Sequence, residues 1–101
     1  MNKQETLDKQ DELLFPCVAN YYADPVVITK AKGTRVTDVD GVEYLDFFGG
    51  ILTVSLGHCH PEVVEAITAQ AQTLGHTSTL YPTQGQLVAA ETLARLTPGK
   101  L

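Results

Sequence analysis

Asp38-Val-Asp-Gly-Val-Glu-Tyr-Leu-Asp-Phe-Phe-Gly-Gly-Ile-Leu-Thr-Val-Ser-Leu-Gly-His-Cys-His-Pro61 is the stretch that decides the fold. Asp40-Gly41 is a strong hairpin turn, because glycine accepts positive φ at no steric cost. Glu43–Phe48 then reads as a strand. Working back, Thr34–Val39 reads as the strand before it. Val26–Thr29, rich in β-branched residues, reads as the one before that, with Lys32-Gly33 between them. Together they predict a small three-stranded antiparallel meander. Gly49-Gly50 breaks regular structure, and Ile51–Leu56 is an apolar run suited to a short strand or a buried loop. Gly57 breaks it again, and His60 stands as the N-cap before Pro61, which suits the first helical position. His58 is expected to support this turn through hydrogen bonds.

Outward from there the pattern turns helical. Val63, Val64, Ile67, Ala71 and Leu74 follow helical spacing, Glu62 and Glu65 favour the dipole, and Gly75 suits the C′ position. Residues 76–82 read as an irregular connection. Thr83 and Gln86 form a capping-box pattern before the apolar stripe Leu87, Ala90, Leu93, Ala94 and Leu96, which Thr97-Pro98-Gly99 stops. At the other end, residues 4–14 read as a short helix poor in apolar surface, ended by Pro16, and 17–25 as a connection. The fold class predicted is α+β: a three-stranded meander with two or three helices.

A chain of 101 residues has room for one small domain and a modest core. Seven basic and twelve acidic residues give a net charge of −5, which argues against nucleic acid or an anionic membrane as partner. The polar N-terminus lacks the apolar segment of a secretory signal, and no run approaches the ~20 apolar residues a membrane helix needs. Cys17 and Cys59 form no CxxC, so a reduced, cytoplasmic setting is expected.

The chemistry-bearing residues form no complete set of their own. His58-Cys59-His60 offers metal ligands, but adjacent residues point apart and only His76 and Cys17 could complete four. Asp38, Asp40, Glu43 and Asp46 lack the spacing of a calcium loop and read as solvated carboxylates at a hairpin tip. Gly49, Gly50 and Gly57 match neither phosphate-loop pattern. Ser55, Ser78 and the histidines have no nucleophile spacing. Tyr21, Tyr22 and Tyr81 lie in connections and favour a pocket or an interface.

The ordered set Asp38-x-Asp40-Gly41, Tyr44-Leu45-Asp46-Phe47, Gly50-Ile51 and Gly57-His58-x-His60-Pro61 resembles the N-terminal part of class III aminotransferases. Val63, Ala66, Gln70, Leu74, His76, Ser78, Leu93, Leu96, Pro98 and Gly99 extend the resemblance to the chain's end. Gly50-Ile51 with His76-Thr77-Ser78 resembles most the alanine–glyoxylate and 4-aminobutyrate type branches. The resemblance implies a fold type I, pyridoxal 5'-phosphate-dependent, homodimeric enzyme that passes an amino group from an amine or ω-amino acid to a 2-oxo acid of the pyruvate or glyoxylate type. It implies an N-terminal arm at residues 1–25, and the N-terminal part of the small domain at 26–101, with the large α/β domain absent.

In that family the Schiff-base lysine, the aspartate for the pyridine nitrogen and the phosphate loop lie further downstream. Lys3, Lys9, Lys30, Lys32 and Lys100 match none of them. Stable cofactor binding and activity by these residues alone are therefore not expected. Carried over by position, Ile51 lines the substrate side of the pocket with Leu52 beside it. Leu80 and Tyr81 belong to a connection reaching the partner subunit's active site. Plain core or interface packing is the alternative for all four. A non-catalytic module docking on a full-length aminotransferase is the alternative for the chain, suggested by the apolar Phe47–Leu56 stretch.

Overall fold

The computed structural model describes residues 1–18 and 20–99. Position 19, within the 17–25 connection, and Lys100 and Leu101 lie outside the described residues. The elements in order are α1 (Lys3–Leu13), β1 (Ile28–Lys32), β2 (Arg35–Asp38), β3 (Glu43–Leu45), the single turn α2 (Gly49–Leu52), α3 (Pro61–Thr73) and α4 (Gln84–Leu96). The chain divides into two compact units, Met1–Glu65 and Ala66–Leu101.

The first unit is built on the antiparallel meander β1-β2-β3. β1 starts and ends later than the β-branched residues suggest. Pairing decides this: Lys32 sits opposite Arg35, so the hairpin closes at Gly33-Thr34 and draws Lys30, Ala31 and Lys32 into the strand. Register slips between Ile28 and Lys30, and the Thr29 hydroxyl there donates to the Asp38 carbonyl at 3.2 Å. The β2–β3 turn falls where Asp40-Gly41 predicts it, with Gly41 at φ +86° and its N–H on the Asp38 carbonyl.

β3 stops at Leu45, three residues earlier than expected, because the Asp46 carboxylate captures the next backbone donors. Ile51–Leu56 is neither strand nor buried loop. Gly49, Gly50, Ile51 and Leu52 all take positive φ near +60°, a left-handed turn. Ahead of the sheet, α1 is closed by a reciprocal capping box between Asn2 and Glu5, and it buries no residue.

α3 starts at Pro61, and the Val64 N–H bonds the His60 carbonyl, which makes His60 its N-cap. Its end differs from the glycine cap expected. Gly75 is not in the left-handed region, and the Gln70 side chain satisfies the Leu74 carbonyl at 2.8 Å instead. In the second unit α4 follows Thr83, whose backbone is extended but whose side chain makes no capping bond, so the T-x-x-Q box is not formed. Its C-terminus is closed by Thr97, whose hydroxyl and N–H both bond the Leu93 carbonyl.

The modest core expected for this length is not present among the described residues. Among the described residues no apolar side chain is buried, and the buried residue is Asp38, 8% exposed. Its carboxylate accepts from the N–H groups of Asp40 and Val42 and from the Tyr44 hydroxyl at 2.8 Å. Rather than a solvated hairpin-tip carboxylate, Asp38 organises the turn. Burial raises its pKa, but these bonds outweigh burial and hold it below the ordinary 3.8.

Candidate functional site

The loop from Asp46 to His58 is pinned at both ends to the β1–β2 turn. The Asp46 N–H donates to the Thr34 carbonyl at 2.8 Å. Gly33 and His58 exchange both backbone bonds at 2.8 Å. Gly57, at φ +89°, makes that approach feasible, since a Cβ there would lie 3.1 Å from the Gly33 Cα.

Asp46 spends its whole carboxylate on this loop. Oδ1 accepts from the N–H groups of Phe48 (2.8 Å) and Gly49 (2.9 Å), and Oδ2 lies 2.7 Å from His58 Nε2. The Gly49 bond, the His58 bond and the Phe48 bond, in that order, hold its pKa down at about 2. The ionised carboxylate has only acceptors, so Nε2 carries the shared proton. His58 thus supports the turn as expected. Asp46, like Asp38, is not merely solvated.

Inside the loop the left-handed turn closes with Leu52 N–H on the Phe48 carbonyl and the Thr53 hydroxyl on the Gly50 carbonyl. Gly49 and Gly50 adopt this backbone freely, but Ile51 (φ +58°) and Leu52 (φ +62°) do not. Left-handed geometry costs an L-residue roughly 1–2 kcal/mol, and a β-branched side chain makes Ile51 an outlier. Ile51 and Leu52 are also 77% and 80% exposed, so packing within the described residues does not hold them there. Leu52 edges an open depression of about 370 Å³, with Gly33, Thr34, Asp46, Val54 and His58 in its wall.

Leu80 and Tyr81 belong to the second unit, on the connection before α4. Leu80 is 81% exposed, and Tyr81 borders an open depression with His76 and Thr83. In this connection Ser78 has φ +64° and its N–H donates to His76 Nε2 at 3.2 Å. No group of three or more potential metal ligands occurs among the described residues. No lysine lines either depression, and Lys3 is paired with Asp24. The described residues therefore do not fit a pyridoxal phosphate anchor. No helix among them is long and apolar enough to cross a membrane.

Sequence reasoning missed the Asn2–Glu5 box and the Asp46 clasp. The signals were present: Asn two residues into the chain with Glu three further on, and Asp46 followed closely by a double glycine.

A meander leading into a left-handed loop and a Pro-started helix is an arrangement with known counterparts. The family model for class-III aminotransferases matches residues 18–101, and the chain belongs to that family. The acetylornithine aminotransferase of Mycolicibacterium smegmatis is 51% identical over 74 residues, covering 73% of this chain and 19% of that protein. The acetylornithine aminotransferase of Methanocaldococcus jannaschii is 53% identical over 72 residues, covering 71% and 18%. The chain thus spans about a fifth of the curated relatives it matches.

Among solved structures, the ornithine aminotransferase of Toxoplasma gondii, described with partial occupancy of PLP, is 35% identical. It matches 94% of this chain and 21% of its own, with a TM-score of 0.78. The acetylornithine aminotransferase of Elizabethkingia anophelis is 29% identical, with a TM-score of 0.83 over 95% of this chain and 24% of its own. The α+β segment is that of a fold type I aminotransferase. These relatives carry acetylornithine and ornithine names rather than those of the alanine–glyoxylate or 4-aminobutyrate branches.

Proposed function

We propose that residues 26–101 form the N-terminal part of the small domain of a homodimeric pyridoxal 5'-phosphate transaminase, with residues 1–25 as its arm. The observation that carries this reading is the class-III match across residues 18–101. The donor we infer is of the N-acetylornithine or ornithine type, supported by the names of relatives about half identical to this chain. The acceptor is a 2-oxo acid.

Pyridoxal phosphate supplies the electron sink for the transfer when bound. Ile51 and Leu52 then serve as an apolar wall beside the donor's methylene chain. Leu80 and Tyr81 reach toward the active site of the partner subunit. The exposed, free Cys17 and Cys59 support a reducing, cytoplasmic setting.

The test is a graft in which this chain replaces the matched segment of the Mycolicibacterium smegmatis enzyme. The folded graft is expected to transfer the amino group of N-acetylornithine or ornithine to 2-oxoglutarate, pyruvate or glyoxylate. A folded graft that binds the cofactor but turns over only 4-aminobutyrate or alanine would overturn the donor assignment. One with no transaminase activity would overturn the function.

The exposure of every large apolar side chain on α3 and α4 supports a second reading, a module that docks on a full-length aminotransferase. Capture of the Mycolicibacterium smegmatis enzyme by the immobilised chain tests it, and no capture removes it.

A further inference from the structure

We infer that Asp46 and His58 are positioning residues that jointly hold the left-handed turn presenting Ile51 and Leu52. The inference rests on the proposed role of that pair as a substrate-side wall. The backbone anchors at Thr34 and Gly33 fix only the two ends of the loop. Between them, the turn's own hydrogen bonds do not dictate its hand, and a right-handed turn would relieve Ile51 and Leu52 of their positive φ.

One carboxylate supplies the missing constraint. Asp46 Oδ1 fixes the N–H groups of Phe48 and Gly49 at the entry to the turn, and Oδ2 holds the imidazole arriving from the far end. The Asp46 side chain is 13% exposed and that of His58 24%, so the clasp is shielded while the residues it aims stand in solvent. This is the arrangement of a support rather than of a reacting pair. Asp46 is fully used by the loop, and the shared proton lies between two groups that face each other.

The experiment compares Asp46→Asn and His58→Gln in the cofactor-loaded graft and reads amide exchange at Val54 in the same graft. Both substitutions are expected to raise KM for the amino donor roughly tenfold with kcat within about twofold, because a displaced wall weakens ground and transition states alike. Val54 exchange is expected to quicken roughly tenfold on Asp46→Asn, but by under about threefold when Leu52→Gly has already removed strain, a non-additivity that general loosening would not produce. Unchanged KM and exchange, or equal acceleration in both backgrounds, overturns the inference. An inactive graft with the unsubstituted segment counts against the proposed function alone, since the exchange cycle still decides the clasp.

Discussion

His58 Nε2 and Asp46 Oδ2 meet at 2.7 Å across twelve positions of sequence, and the residues between them carry four consecutive positive φ angles. The pair closes a loop whose apolar side chains face outward, so the ionisation of Asp46 is tied to the loop's order.

A depressed folded-state pKa stabilises above the unfolded value and is lost as pH falls through the folded one. For Asp46 the window runs from 3.8 down to about 2. Protection of the Leu52 and Val54 amides, as exchange relative to the intrinsic rate at each pH, should be flat from neutrality to the top of that window and fall through it. In Asp46→Asn this transition should vanish. An unchanged profile in the variant would show that another group opens the loop.

Tyr44 gives the opposite sign. Its bond to Asp38, then burial, then the nearby carboxylates push its phenol above the ordinary 10.0. The raised value means that this link supports the fold below 10.0 and is lost as pH climbs through the folded value. A ring-carbon titration of Tyr44 should end above its ordinary range and move down in Asp38→Asn. A midpoint indifferent to Asp38→Asn would contradict the contact.

Two glycines with similar φ separate backbone strain from close approach. Gly41 (φ +86°) has nothing within 4 Å of a built Cβ, whereas Gly57 (φ +89°) would place it against Gly33 backbone. Gly41→Ala should cost about 1 kcal/mol, from φ alone. Gly57→Ala should cost about 2–4 kcal/mol and break the Gly33–His58 bonds. Urea midpoints of the graft measure the difference, and equal costs would mean that the backbone approach is not held.

Because no apolar side chain among the described residues is buried, the 101-residue chain by itself should bind a hydrophobic dye and unfold without a sharp transition. Grafted into the Mycolicibacterium smegmatis enzyme, the same residues should lose the dye signal. A cooperative urea transition in a monomer of the isolated chain would contradict this.

Much of the fold is legible from local chemistry. Asp40-Gly41 marks its turn because few residues accept positive φ, and Pro61 starts α3 where its missing N–H costs nothing. Thr83 has the right residue type for a capping box but makes no side-chain bond, because type alone does not set hydroxyl geometry. Ile51–Leu56 has the composition of a buried strand and yet forms an exposed turn, since β-propensity reflects burial and partners that the sheet does not provide there.

The meander, the Pro-started helix and the motif order that place the chain among class-III aminotransferases are determined by sequence alone, because turn glycines, prolines and hydrophobic periods act over a few residues. The tertiary structure alone decided that β1 runs to Lys32, that Asp46 ends β3, and that Ile51 and Leu52 take left-handed geometry. For β1 it is the pairing across the hairpin that sets Lys32 against Arg35, and for the loop it is Gly33 and His58, each twelve or more positions from Asp46, that close the turn Asp46 organises. Such contacts exist only once the chain has folded back on itself.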